Sequence, residues 1–266
     1  MWTIYVLRIG RVLMFVSLCL MLHQSRALAL DTPGTKPGIW CERRSSKALS
    51  CRHEQRLVLS LARITGFCDL HFAADGEISL GDTSQVVGGA AAARQVLLTV
   101  VSSHEAFVIE DCSGSDDVNF GQVRQELVFE NPDGTRIGVW RVRIDFNDFR
   151  NVQAPAEVRA SFDEGFILLH ELLHGLGYSD ASRGEEIGQC EEIVNKARRE
   201  LGLPLRDQYF VAPIRVTDTL ASARIRFRRP AAATISSKKE MYYLYFVMKT
   251  ESGYPAGLRS AAERRR

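Results

Sequence analysis

The sequence predicts an α+β fold in which a mixed β-sheet backs one central helix and a second helix follows it. Residues 139–146 alternate apolar with charged side chains, as a half-buried strand does. Residues 161–175 then follow helical periodicity, and residues 187–201 repeat apolar side chains along one helical face. The chain has 266 residues, of which 45% are hydrophobic, so it is long enough to bury a core.

Residues 1–29 have the pattern of a signal peptide. Arg8 and Arg11 form a positive region, residues 12–22 form an apolar run, and small residues at 27–29 suit a signal peptidase. The apolar run is shorter than the roughly 17 to 25 residues that span a bilayer. We therefore expect cleavage and a secreted or periplasmic protein without stable membrane association. An uncleaved anchor is the alternative.

The mature chain divides into two parts in this interpretation. Residues 30–54 open with two prolines and two glycines and are predicted to be an irregular lead-in. Residues 55–266 form the main domain, which ends in a basic tail. The formal net charge of +2 gives no reason to expect a nucleic-acid partner. No sequence feature indicates an oligomeric state.

Further elements are predicted along the main domain before and after the central helix. An alanine-rich helix is expected at residues 88–101 and a turn at 131–136, with strands at 106–110, 125–131, 139–146 and 238–249. Five cysteines follow the leader. In an exported protein they predict either two disulfides with one thiol left over or scattered buried thiols.

The central helix carries the residues that point to chemistry. Ser161 and Glu164 fit a capping box at its start. His170 and His174 are four residues apart, so they share one helical face and can bind one metal ion, with zinc the expected cofactor. Glu171 lies beside the first histidine, where a general base would act on a metal-activated water. The alternative is a pair of buried histidines with ordinary hydrogen-bond partners.

The stretch HELLHGLGYSD resembles the metzincin form of the zincin metallopeptidases, HExxHxxGxxH or HExxHxxGxxD. The form with aspartate is similar to small secreted bacterial neutral proteases. The resemblance implies a zincin-like fold, a turn at Gly177 and Asp180 as the third ligand of one zinc ion. It also implies a methionine turn beneath the metal, for which Met241 and Met248 are candidates, although both lie in a strand-like stretch.

Residues 195–209 look like the segment after the active-site helix in the NleD-like family of bacterial effector zinc peptidases. That resemblance also implies zinc-peptidase activity, but the leader argues against injection into a host, so the substrates of that family are not carried over. It directs attention to Glu191, with Asn195 one turn later, as in the second helix of gluzincins. The third ligand is therefore Asp180, which we favour, Glu191, or a residue that the sequence does not reveal.

We expect a zinc-dependent endopeptidase that acts on a protein or peptide substrate. An extended peptide is expected to lie along the strand at residues 139–146 as an added strand. Tyr178 and Tyr209 are candidates for stabilising an oxyanion, although both are more often packing residues. The alternatives are a secreted zinc-binding module without turnover and a zinc hydrolase that acts on a non-peptide substrate.

Overall fold

A computed structural model describes residues 36–130, 134–181, 187–208, 212–216, 220–230 and 240–249. Within these ranges the chain forms five α-helices and ten β-strands, which confirms the predicted α+β class. The predicted leader at residues 1–29 and the end of the basic tail at 250–266 lie outside the described residues. None of the described helices combines the length and the apolar character needed to traverse a bilayer.

The elements follow one another in this order along the chain. The helices are α1 (Cys51–Thr65), α2 (Ala91–Val101), α3 (Ala156–Ala160), α4 (Glu164–Gly175) and α5 (Gln189–Glu200). The strands are β1 (Gly38–Cys41), β2 (His71–Phe72), β3 (Ile78–Ser79), β4 (Ala106–Asp111), β5 (Gly121–Glu130), β6 (Arg136–Ile144), β7 (Leu205–Arg206), β8 (Ala212–Val216), β9 (Leu220–Arg228) and β10 (Met241–Lys249). All four predicted strands and the three predicted helices are present, with shifted ends.

The main sheet has the strand order β1-β4-β6-β5 and is mixed. Strands β1, β4 and β6 run parallel, and β5 pairs antiparallel with β6. Successive side chains of a strand point to opposite faces. Phe107 and Ile109 of β4 accordingly join the core formed with α1, α2, α4 and α5, while Ala106 and Val108 pack with Trp40 on the other face.

The expected peptide-binding strand is not at the edge of this sheet. Strand β6, which contains most of residues 139–146, lies between β4 and β5 and pairs with both. The backbone groups that a peptide would need are thus already paired. The prediction that a peptide adds along residues 139–146 is wrong for this reason, and the edge strands of the main sheet are β1 and β5.

The start of the central helix also differs from the prediction. Ser161 ends α3, and its hydroxyl donates to the carbonyls of Glu157 and Val158. The cap of α4 is Asp163, whose side chain accepts from the backbone N–H of Phe166. Glu164 forms an ion pair with Arg56 of α1. The predicted capping box is therefore wrong. Ser161 and Asp163 are both residues that can cap a helix, and Asp163 is the one that caps α4.

The predicted irregular lead-in contains regular structure. Strand β1 (Gly38–Cys41) pairs with β4 in the main sheet, and α1 begins at Cys51 after Ser50 caps it through the backbone N–H of His53. For residues 38–41 and 51–54 the prediction of irregular structure is wrong, because they belong to β1 and α1, whereas residues 42–50 form no helix or strand.

A second sheet, in the order β10-β9-β7, covers the other side of α4. Its buried residues Phe227 and Leu244 form a cluster with Phe162 and with Ile167 of α4. The opposite face of α4 packs into the main core through Leu168 and Leu172. Helix α4 is thus buried on both sides, which fixes the positions of its polar residues.

The five described cysteines are free thiols, namely Cys41, Cys51, Cys68, Cys112 and Cys190. The predicted alternative of two disulfides among them is therefore wrong.

Candidate metal centre

His170 and His174 lie side by side on one face of α4. Their ring centroids are 5.1 Å apart, and the ring planes are nearly perpendicular. His170 is buried, whereas His174 is partly exposed at the C-terminal end of the helix. The four-residue spacing places them there, because positions i and i+4 are neighbours on a helix.

Asp180 returns to both histidines after the helix ends. Its Oδ1 lies 3.1 Å from Nε2 of His170, and its Oδ2 lies 3.1 Å from Nε2 of His174. Gly177 permits this return, because its φ of 88° is in the left-handed region that favours glycine. The three side chains named by the sequence as metal ligands are therefore brought together.

The segment that carries Asp180 is held by the start of α5. Gly188 packs so closely that an added Cβ would overlap the backbone of Asp180. The side-chain oxygen of Gln189 accepts from the backbone N–H of Ser179 at 3.2 Å, and the N–H of Cys190 donates to the Ser179 carbonyl at 3.3 Å. These contacts fix the position of Asp180 relative to the second helix.

Cys190 contributes a fourth potential ligand that the sequence did not single out. It is buried in the first turn of α5, and its Sγ lies 3.6 Å from Nδ1 of His174. One ligand atom from each of His170, His174, Asp180 and Cys190 lies within 4.8 Å of the other three. This cluster could hold a metal ion. The only sequence signal was the place of Cys190 on the apolar face of the second helix.

Glu171 lies between the metal cluster and the edge strand β5. Its buried carboxylate accepts a hydrogen bond from the backbone N–H of Val123. Burial raises the pKa of Glu171, and the neighbouring charges of His170 and His174 oppose that rise. Gly121 leaves room for the carboxylate, since an added Cβ would come within 3.3 Å of its Oε1.

Glu191 contacts His170 from the side opposite to Asp180. Its Oε2 lies 3.3 Å from Nδ1 of His170 and 3.1 Å from Nη1 of Arg206, and its Oε1 pairs with Arg198. Burial alone would raise the pKa of Glu191, but the charges of Arg198 and Arg206 hold it well below its usual value. Glu191 is therefore a buried anion that orients an imidazole, and it is not one of the four clustered ligand groups.

Asn195 completes this arrangement, one turn after Glu191. Its side-chain oxygen accepts from Nη1 of Arg198 and from the backbone N–H of Arg206, both at 2.9 Å. Its amide donates to the Arg206 carbonyl at 2.7 Å. The guanidinium of Arg198 also lies over the ring of Phe166, 4.9 Å from its centroid. The polar pair Glu191 and Asn195 thus supports the site from the second helix.

The carboxylates around His170 make its surroundings favourable for a cation. Burial alone would lower the pKa of His170, but hydrogen bonds to Asp180 and Glu191 outweigh that effect and raise the pKa to about 9. The pKa of His174 is also raised, because the hydrogen bond to Asp180 overcomes the effect of burial. Positive charge is therefore stabilised at this point of the core.

The remaining predicted residues differ in where they lie. Tyr178 is exposed, and its backbone carbonyl lies 3.1 Å from Nδ1 of His174. Tyr209 lies outside the described residues. Met241 and Met248 belong to strand β10 rather than to a turn. The methionine turn implied by the metzincin resemblance is therefore wrong for these two residues.

Comparisons of the chain with protein-family models, with curated proteins and with solved structures gave no match.

Proposed function

We propose that the protein is a zinc-dependent endopeptidase with a zincin-like active site. The observation that carries the proposal is the convergence of His170 Nε2 and His174 Nε2 on the two oxygens of Asp180, with the buried Glu171 beside them. Two imidazoles, one carboxylate and an acid next to the first histidine form the set used by hydrolytic zinc sites.

The donor set favours zinc over the hard divalent cations. Imidazole nitrogens suit zinc, whereas magnesium and calcium prefer sites built from oxygen atoms. The other ring nitrogen of each histidine has an orienting acceptor, namely Glu191 for His170 and the carbonyl of Tyr178 for His174. Such acceptors fix the tautomer that presents Nε2 to the metal. A zinc ion bound there would supply the Lewis acidity that makes water nucleophilic near neutral pH.

Glu171 acts as the general base in this proposal. The backbone N–H of Val123 donates to its carboxylate and holds it in place. The carboxylate takes a proton from the attacking water and later transfers it to the leaving amine. This role requires Glu171 and does not depend on Tyr178.

The substrate in this proposal is an extended peptide added to the edge strand β5. The backbone N–H of Val123 in β5 donates to Glu171, so a peptide paired with this strand would pass next to the proposed base. Beyond it, Leu127, Val128 and Phe129 are exposed apolar side chains that could contact substrate residues. Strand addition satisfies the backbone groups of both partners, and side-chain contacts add specificity. Export to a secreted or periplasmic location remains part of the proposal.

A zinc-binding module without turnover is the second candidate. The presence of Cys190 in the cluster favours it, because a fourth protein ligand closes a zinc site as in structural centres. Glu171 separates the two candidates, since a structural site does not need a general base. A zinc hydrolase acting on a non-peptide substrate would use the same residues.

The test compares wild-type protein with Glu171→Gln, which keeps the shape of the side chain and removes its basicity. Both are loaded with zinc and incubated with an extracellular proteome, and new peptide termini are identified by mass spectrometry. We expect both proteins to hold zinc and only the wild type to create new termini. Equal sets of termini from both proteins, or none from either, would exclude the peptidase. Glu192→Gln, at an exposed position, is the matched control and should behave as wild type.

A further inference from the structure

Cys190 is close enough to the candidate ligands to take part in metal binding. It lies in the first turn of α5, is buried, and belongs with His170, His174 and Asp180 to a set of four residues whose ligand atoms lie within 4.8 Å of one another. We propose that the Cys190 thiolate is the fourth ligand of the metal in the resting protein, which closes the site until the sulfur leaves. This inference rests on the proposed function, because it concerns the regulation of the same site.

The size of the cluster suits a tetrahedral ion after a small contraction. Zinc–nitrogen bonds of about 2.0 Å and zinc–sulfur bonds of about 2.3 Å place ligand atoms about 3.3 to 3.6 Å apart in tetrahedral geometry. The four ligand atoms lie within 4.8 Å of one another, so they need to approach by about an ångström. Side-chain rotation of Cys190 and Asp180 is enough for a movement of that size.

Contacts of the segment that carries Cys190 hold this residue near the other three candidate ligands. Its backbone N–H donates to the carbonyl of Ser179, which directly precedes Asp180. Gly188 packs on the Asp180 backbone, so the turn that carries the aspartate and the helix that carries the cysteine are joined at this point. The turn thus supplies Asp180, and the helix supplies Cys190, as ligands for the same metal ion.

Binding and release of the sulfur are balanced without any redox change. When the sulfur binds, the S–H bond breaks, the proton passes to solvent, and a sulfur–metal bond forms. When water takes the position, the sulfur–metal bond breaks and the thiolate takes a proton from solvent. The closed form has no place for the nucleophilic water, so it is latent. The open form has the three ligands and the open position of a catalytic zinc site.

The test replaces zinc with cobalt and records the absorption spectrum of the full mature chain. A thiolate bound to cobalt gives an intense near-ultraviolet charge-transfer band. We expect the band in wild type and its loss in Cys190→Ala, with about one cobalt bound in each protein. Cys41→Ala is the matched control, because Cys41 is also a buried thiol of the main core, and it should keep the band. Wild-type protein that binds cobalt without the band would overturn the inference.

A second measurement does not depend on how the variant folds. X-ray absorption of zinc-loaded wild type should show one sulfur at about 2.3 Å, and a shell of nitrogen and oxygen alone would overturn the inference.

If the closed form holds about nine-tenths of the molecules, peptide hydrolysis by Cys190→Ala should exceed wild type about tenfold. Unchanged hydrolysis would refute the latency. A sulfur ligand together with no hydrolysis in any variant would support the ligand assignment and reject the proposed peptidase.

Discussion

Glu191 and His170 are joined inside the protein by a 3.3 Å contact between the Oε2 atom of the glutamate and Nδ1 of the imidazole. Since Asp180 contacts the other nitrogen of the same ring, His170 is oriented from both sides. The glutamate is in turn paired with Arg198 and Arg206. The orientation of the His170 ring, and with it the position of Nε2, is therefore fixed by a polar network that extends into the second helix.

Replacing Glu191 by glutamine should destabilise the protein strongly. The change removes the partner of Arg198, which is 1% exposed, and leaves its charge buried without compensation. Breaking a buried pair in this way costs about 3–5 kcal/mol of unfolding free energy. Denaturant unfolding of the zinc-free protein measures it. Glu192→Gln, one residue further on and exposed, should change stability by no more than about 0.5 kcal/mol. Equal stabilities of the two variants would contradict the network.

Adding one methyl group at Gly121 should disturb the approach of β5 to α4. The new Cβ would overlap the side chain of Ile167 and come within 3.3 Å of Glu171 Oε1. Overpacking of this kind costs about 1–3 kcal/mol, and we also expect lower peptide hydrolysis because the base is displaced. Thermal unfolding and turnover are measured together. Gln125→Ala, at an exposed position of the same strand, is the control and should change stability by no more than about 0.5 kcal/mol. A Gly121→Ala protein with wild-type stability would show that the strand does not pack so closely.

Cys41 should resist alkylation in the folded protein at pH 8. Burial raises the pKa of its thiol to about 11, although Arg43 opposes that effect. At pH 8 only about one molecule in a thousand would therefore carry the reactive thiolate. Iodoacetamide labelling followed by mass spectrometry should modify the exposed Cys51 and Cys68 first. Labelling of Cys41 should increase as pH rises through about 11 or on unfolding. Equal rates for the three thiols at pH 8 would contradict the buried position.

The sequence predicted the elements that depend on local patterns. Alternating residues identified strand β6, and the four-residue spacing of His170 and His174 placed both on one helical face, as observed. These two predictions succeed because each depends on backbone geometry over a few residues. The position of Asp180 beside the histidines was implied by the resemblance to metzincins.

Features that depend on distant pairing could not be predicted in this way. The place of β6 inside the sheet is set by β4 and β5, so its interior position was not readable from its alternation. The role of Glu191 requires Arg198 and Arg206 to meet it in space. Cys190 resembled a core residue, since an apolar helical face and a ligand position give the same pattern. Packing between elements decides each of these cases.

The most direct test of the metal centre is the zinc content of wild type, Asp180→Asn and Asp207→Asn after equilibration with zinc and gel filtration. Asp207 is a matched control, because it is as exposed as Asp180 and pairs with Arg226 and Arg228 away from the cluster. We expect about one zinc per chain in wild type and in Asp207→Asn, and far less in Asp180→Asn. Folded Glu191→Gln should retain zinc with an affinity about 10–100-fold weaker. Full zinc in Asp180→Asn, together with complete loss in Glu191→Gln, would contradict the assignment of Asp180 as the third ligand.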